Sequence, residues 1–410
     1  MKQTLTNPIK VISKKLDDVC FIDFGTRVVQ KKDGGDIYPV YGGGGATFKM
    51  NTYNRENCLV VSRFAMSKQC TRFVEGKFYL NDSGLTVRPK NEKELAKEYL
   101  DYLLLALNDT IYSLSRGTAQ RNLNVSKFRN LEIKYPDSIE LQLHIATLLS
   151  KAENLISQRK ESIRLLDDFL KSTFLEMFGD PVRNEKGWET RTIEQLVKKE
   201  KYALKRGPFG GALKKEIFVP SGYLVYEQFH ALNNDFSFAR YFIDEAKFQE
   251  LKGFEVKPGD IIVSCSGVYL GKLAIVPTGA KQGIINQALL KISLDNRAIE
   301  NVFFVYVFSN ENFKRKFYGN VIGTGIPNFP SMDDFKKFNF IFPPIKLQTQ
   351  FAQIVEKTEA IKTQYQQSLQ ELENLYGSLS QKAFRGELSL KDEGVLMAAE
   401  PEVKYGGIES

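Results

Sequence analysis

The chain is poor in the residues that most enzymes use for chemistry. Histidine occurs twice in 410 residues, as His144 and His230, and tryptophan once. Histidine is the commonest switchable base and a frequent zinc ligand, so few such centres can be assembled here. No HExxH or GxSxG sequence is present, which removes the usual zinc-peptidase and α/β-hydrolase sites. The nearest approach to a Walker loop, "GVYLGKL" (267–273), has three residues between its glycines where four are needed, and no hydroxyl after its lysine. A methyltransferase acting on exocyclic amines would show an Asn/Asp-Pro-Pro-aromatic loop. "FPPI" (342–345) lacks both the polar residue and the final aromatic. Four cysteines, Cys20, Cys58, Cys70 and Cys265, form no CxxC pair, so metal-ligand spacing is missing and a reduced cytoplasmic compartment is expected. No stretch of 18 apolar residues occurs, and the opening "MKQTLTNPIK" has no apolar h-region, so neither a membrane span nor secretion is expected. Catalysis, metal binding and cofactor binding by this chain itself are not expected. The glycine run "YGGGG" (41–45) follows Pro39 and reads as a flexible loop rather than a nucleotide cradle.

Basic residues, in contrast, are plentiful and unevenly placed. The net charge is +8. Residues 1–137 carry +7 and residues 180–344 carry +5, whereas 138–179 carry −1 and 345–410 carry −3. Two basic blocks thus alternate with two mildly acidic ones, as in a chain with two polyanion-binding domains. A generic basic surface would give the same totals. The apolar fraction of 42% suffices for folded domains, and the length suits two or three of them.

The blocks repeat each other. "GTAQRNLN" (117–124) returns as "GTGIPNFP" (323–330), each with an Asn in sixth place, Asn122 and Asn328. "NCLVVSR" (57–63) parallels "GDIIVSC" (259–265), and "YLNDSGLTV" (79–87) parallels "IINQALLKI" (284–292) through Asn81 and Asn286. "EYLDYLLLAL" (98–107) matches "VFFVYVFSN" (302–310) as an apolar helix, and "FRNLEIKYP" (128–136) matches "FKKFNFIFP" (335–343) as an alternating strand. The offset stays near 206 residues, so one whole domain is present twice.

A long helix is expected after each copy. Leu141, Ile145, Leu148, Ala152 and Leu155 step by four and three, and the stripe shifts to Ile163, Leu166, Leu170 and Phe174. The second stripe is Leu347, Phe351, Ile354, Thr358, Ile361, Tyr365, Leu369, Leu372, Tyr376 and Leu379. Each segment lacks internal proline and spans about 40 residues, or about 60 Å as helix. Such heptads on a polar background predict a coiled coil rather than a helix lying on its own domain. His144 takes a polar position in this pattern. Leu149, Ile156, Val355 and Leu375 fit either the seam or a partner-docking face. Gly179 and Pro181 stop the first helix and "KAFRGELSL" (382–390) ends the second. The expected organisation is a recognition domain at 1–137, a helix at 138–180, a second domain at 181–344, a helix at 345–388 and a flexible tail at 389–410. The expected fold is α+β, with two similar mixed α/β domains and two long helices paired antiparallel about a pseudo-twofold axis.

Loops in both domains mix cations, amides and glycines. "YALKRGPFGGALKK" (202–215) offers Lys205, Arg206, Lys214 and Lys215 around four small or rigid residues, a composition suited to phosphates. The first domain offers Lys49, Arg63, Lys68 and Arg72 in "YGGGGATFK" and "SRFAMSKQCTR". Its octet adds Arg116, Thr118, Gln120, Arg121 and Asn122, side chains able to read guanine and adenine edges. The second octet, with Thr324 and Asn328, holds no arginine, so the two domains are expected to read different bases. Gly117, Thr118 and Asn122 suit a turn before the last strand equally well.

The layout resembles the specificity subunit of type I restriction-modification systems. The motifs that carry the likeness are "GPFGGALK" (207–214), "GDIIVSCSGVYLGKLAIV" (259–276), the Gly-Thr octets, "FPPIKLQTQFAQIV" (342–355), "FLKSTFLEMFGDP" (169–181) and "LSQKAFRGEL" (379–388). The first domain departs from the pattern, placing "YPVYGGGG" (38–45) in a role comparable to that of the GPFG loop. The resemblance implies that each domain reads one half of an interrupted, asymmetric site on double-stranded DNA, with Tyr269 and Lys272 of the second domain among the contacts. It implies helices that fix the gap and dock two methyltransferase subunits. Those subunits would hold S-adenosylmethionine and methylate adenine N6, and motor-endonuclease subunits would join for cleavage. Residue types alone leave two alternatives, a stand-alone DNA-modifying enzyme with an unrecognised site and a coiled-coil adaptor.

Overall fold

The computed structural model describes residues 10–267, 269–317 and 329–388. They fall into two compact units, one formed by 1–161 with 365–410 and the other by 162–364. Among the described residues no helix is long and apolar enough to cross a membrane, and no cluster of His, Cys, Asp and Glu could hold a metal ion.

The first unit is built on a six-stranded sheet ordered Cys20–Phe24, Gly84–Pro89, Arg55–Ser62, Thr71–Leu80, Tyr38–Tyr41 and Ala46–Met50. Strand Arg55–Ser62 ends in four buried residues, Leu59, Val60, Val61 and Ser62, because it lies mid-sheet with both faces covered. One face packs on helix Lys97–Ala106 through Tyr99, Leu100, Leu103 and Leu104. In the second unit the same frame is split into two four-stranded sheets. One is ordered Leu204–Arg206, Leu289–Ile292, Ile261–Ser264 and Leu273–Ile275, the other Phe242–Ile243, Tyr223–Tyr226, Gly283–Ile285 and Glu255–Val256. The split falls where the first unit has the single ten-residue strand Thr71–Leu80. That strand pairs antiparallel with Arg55–Ser62 over residues 71–78 and parallel with Tyr38–Tyr41 at its last two residues.

Smaller features recur in register. Strand Val11–Lys15 pairs with Glu132–Pro136, and Thr190–Thr192 pairs with Asn339–Ile341. Asn124 caps helix Val125–Arg129 as Ser331 caps Met332–Phe335, each side-chain oxygen accepting a backbone N–H three residues on.

Each long helix leaves its domain through a buried glutamine. In the first, Ile139–Phe178, the fully buried Gln142 donates to the Pro136 carbonyl at 2.8 Å and the Glu94 carbonyl at 3.0 Å, and accepts from Ala96 N–H at 2.8 Å. In the second, Ile345–Arg385, Gln348 donates to the Pro343 carbonyl at 2.8 Å and accepts from Glu300 N–H at 2.9 Å, equally buried. A buried amide must find such partners or lose the water it gave up.

The helices pair antiparallel within each unit. In the first, Glu153 accepts from Tyr376 and Tyr102, and Lys160 meets Glu373 at 2.8 Å. In the second, Asp167 meets Lys362 at 2.6 Å and Phe174 and Phe178 meet Phe351, with ring centroids 5.5 and 5.6 Å apart. Each such buried ring is worth about 2 kcal/mol. Leu141, Ile145, Leu148 and Ala152 are buried as their spacing predicts, and Leu149 and Val355 are buried in the cores as well. Leu375 packs against the first core. Ile361 departs from the stripe, at 42% exposed, beside the Lys362–Asp167 pair that takes over the contact. A two-stranded coil leaves its seam partly open to water, so one apolar position can be exchanged for an ion pair at low cost.

Candidate nucleic-acid interface

In the first unit, four loops gather around one turn. Asn81 makes that turn by accepting Ser83 N–H at 2.9 Å, and its own N–H reaches the Tyr41 carbonyl. Gly25 N–H donates to Gly84 O, Thr26 N–H to Leu80 O, and Arg63 N–H to Ser83 O. Ser83 Oγ accepts from Gly43 N–H, and Leu123 N–H donates to Arg63 O. Loops 25–27, 42–45 and 63–70 are therefore hung from residues 81–84, and loop 116–122 is tied in turn to loop 63–70.

The second unit repeats the construction. Asn286 accepts Ala288 N–H at 3.0 Å, and its N–H reaches the Tyr226 carbonyl. Gly207 N–H donates to Leu289 O, Cys265 N–H to Ala288 O, and Phe329 N–H to Cys265 O. Gln228 Nε2 ties the next loop in, donating to Ser264 Oγ and the Ser266 carbonyl at 2.8 Å each. These hydrogen bonds equate Gly25 with Gly207 and Tyr38–Tyr41 with Tyr223–Tyr226. The counterpart of the GPFG loop is thus Gly25-Thr26-Arg27, which corrects its assignment to "YPVYGGGG". Both glycines are required by close approach: a Cβ on Gly25 would lie 1.9 Å from Asn81 O, and one on Gly207 1.8 Å from Asn286 O.

The sequence-derived candidates occupy this frame unequally. Arg63 is half-buried with its guanidinium 4.9 Å from the Phe24 ring and 4.5 Å from Phe64. Lys68, Arg116, Thr118, Gln120 and Arg121 are exposed, and Arg121 lies 5.0 Å over Tyr112 while donating to Ser115 Oγ. Asn122 Oδ1 accepts Ala65 N–H at 3.1 Å, and Gly117 has φ +109°, so both shape the turn that joins loops 63–70 and 116–122. Lys49 is exposed further along the outermost strand. Arg72 donates to the Gly43 and Gly44 carbonyls and so clamps the glycine loop from within. In the second unit Lys214, Lys215, Tyr269 and Lys272 are exposed. Lys205 is half-buried between Tyr202 and Phe254, 5.5 and 5.1 Å from their rings. Arg206 is half-buried, its Nε shielded from water with no hydrogen-bond partner among the described residues. Thr324 and Asn328 lie outside the described residues.

A guanidinium has changed strands between the copies. Arg63 stands where the second unit has Cys265, and Phe24 stands where it has Arg206. Each rim thus has an arginine at one of these two positions, delivered from a different loop. Nearby thiols are poorly suited to nucleophilic chemistry: burial pushes Cys20 and Cys265 up to about 12 and Cys70 up to about 11. His230 is fully buried, with Nδ1 3.0 Å from Glu227 N and Nε2 3.0 Å from the Phe238 carbonyl, so its ring nitrogens serve the fold.

Residues 8–165 and 185–374 each match the type I restriction modification DNA specificity domain. The chain belongs to the family of type I restriction-modification specificity subunits. It is similar to the type I restriction enzyme MjaIX specificity subunit of Methanocaldococcus jannaschii, 24% identical over 317 residues that cover 73% of this chain and 70% of that protein. The MjaVIII specificity subunit of the same organism is 24% identical over 271 residues, 62% of this chain and 61% of that one. The fold matches the crystal structure of a type I S subunit from M. genitalium with TM-score 0.62 at 17% identity, covering 93% of this chain and 98% of that chain. It also matches a chain solved in work on complex assembly and conformational transition of the type I system, with TM-score 0.53 at 16% identity and coverage of 94% and 100%. Missing from the sequence reading were Phe24, Arg27, Phe209 and Gln228. Only the shared glycine at 25 and 207 could have pointed to them.

Proposed function

We propose that this chain reads DNA for a type I restriction-modification complex and leaves the chemistry to its partners. Each domain reads one half of a bipartite, asymmetric site on double-stranded DNA. The paired helices set the number of base pairs between the halves and dock two methyltransferase subunits. Those subunits bind S-adenosylmethionine and flip the adenine they methylate, and motor-endonuclease subunits join for cleavage in the cytoplasm. The observation that carries the reading is the shared construction of the two rims, in which exposed cations and amides hang from Asn81 in one unit and Asn286 in the other. Cations neutralise phosphates and fix register, while the variable side chains between them read base edges. Two weak readers joined by a stiff spacer gain affinity through effective concentration.

Mapping N6-methyladenine across the genome of the source cell, with this gene present and deleted, tests the reading. Loss of one interrupted motif on deletion is the expected result. An unchanged methylation map refutes it, and S-adenosylmethionine binding or DNA cleavage by the purified chain alone would favour a stand-alone enzyme.

A further inference from the structure

Resting on that DNA-reading function, we propose that Phe209 is a wedge that enters one base-pair step of the recognised site, and that DNA is deformed there by the second unit alone. Phe209 is 71% exposed, the most exposed large apolar side chain among the described residues. Exposure of one apolar side chain is ordinary on a protein surface; what sets this ring apart is how it is held and what surrounds it.

The exposure is built in rather than a loose loop tip. On the N-terminal side Gly207 is bonded to Leu289 O and leaves no room for a Cβ, and Pro208 is buried with its φ fixed by the ring. On the C-terminal side Ala212 and Leu213 pack against the cluster of Val225, Ile243 and Ile284. Both flanks are anchored and the ring alone projects. Its neighbours are cationic: Arg206 lies 5.7 Å from the ring, and Lys214 and Lys215 are exposed just beyond it. An apolar tip among cations suits a polyanion with a stacked interior, in which phosphates take the charges and a base step takes the ring.

The first unit presents the opposite surface at the same place. Gly25 makes the same close approach, but the residue two positions on is Arg27, which is exposed. The aromatic rings of that rim lie closer to the surface, Phe24 at 36% exposed and Phe64 half-buried, each against the Arg63 guanidinium. One unit offers a charge and the other a ring, so specificity from step flexibility belongs to one half-site.

The test uses the complex assembled with its methyltransferase and duplexes bearing the mapped motif. 2-Aminopurine replaces one base at a time, never the methylated adenine. The wild type and F209L are expected to raise fluorescence at one step. F209A is expected to lose that rise and to bind about tenfold more weakly, while R27A keeps it. The same rise with F209A overturns the wedge. So does a loss of subunit assembly with F209A, which would make the ring a protein-docking group. If instead the wild-type complex fails to bind the duplex selectively, the DNA-reading function fails first and the wedge with it.

Discussion

Replacing Gln348 by alanine isolates the joint between a recognition domain and its helix. The side chain is fully buried and serves two backbone groups, the Pro343 carbonyl and the Glu300 N–H. Its removal strands both, at about 1–3 kcal/mol each, and opens a cavity besides. A loss near 4 kcal/mol is therefore expected for Q348A. Q142A should cost about 1 kcal/mol more, since Gln142 serves three groups. Q348L fills the space but satisfies nothing, so it should recover only the cavity part. Trp188 reports on the second unit, because its Nε1 donates to the Phe178 carbonyl at 2.9 Å at the end of the first long helix. Urea unfolding followed by Trp188 fluorescence thus reads Q348A directly, and circular dichroism reads Q142A. A midpoint shift corresponding to less than about 1 kcal/mol for Q348A would show that water or a local rearrangement replaces the amide, and the joint would not depend on the buried glutamine.

Other expectations follow from the same contacts. Gly25→Ala and Gly207→Ala should each cost about 2–4 kcal/mol in urea unfolding, whereas Gly44→Ala, whose Cβ would meet nothing within 4 Å, should change stability by less than about 0.5 kcal/mol; equal effects would refute the close-approach argument. Asp180 is held below the usual carboxylate range: burial alone would raise it, but bonds from Asn312, Arg183 and Val182 outweigh that. Its contribution is complete above the ordinary Asp value of 3.8 and is lost as pH falls through the lowered folded-state value, so the stability gap between wild type and D180N should close in strong acid. A gap that widens on acidification would reverse the sign. Inserting seven residues at matched levels of both long helices preserves the heptads and adds about 10 Å. The methylated motif should then gain about three base pairs between its halves, and soluble variants with an unchanged gap would refute the spacer role.

The repeat could be read from sequence because its frame is made of obligatory backbone bonds. Asn81 and Asn286 sit in matching text and do the same thing, and the heptad positions Leu141, Ile145, Leu148 and Ala152 are buried as written. The equivalence of Gly25 and Gly207 was hidden because the offset there is 182 rather than 206, the loops between that glycine and the Asn turn differing in length. Only one glycine survives between "FGTR" and "RGPF", and what conserves it is a distance to a carbonyl that no spacing rule displays. Arg72 was equally opaque: as a residue type it suits phosphate, yet its guanidinium donates to the Gly43 and Gly44 carbonyls. For Asn122 the sequence left a base contact and a turn open, and its Oδ1 accepts Ala65 N–H in the turn. Whether a side chain serves a ligand or its own backbone depends on the loop that crosses it, and those crossings come from distant parts of the chain.

The same distinction explains how one fold can read two unlike half-sites. Positions that face the turn are constrained by geometry: a missing Cβ at 25 and 207, an asparagine at 81 and 286, a buried amide at 142 and 348. Two residues beyond the shared glycine the side chains are exposed to water, and there the copies diverge, Arg27 against Phe209. The guanidinium that moves from residue 63 to residue 206 is the informative case. A cation near the turn is retained although its strand of origin is not, so what is preserved is a charge at a place rather than a residue in a sequence. Binding to phosphate imposes such a constraint, because it asks for charge within reach and is indifferent to the route by which the side chain arrives.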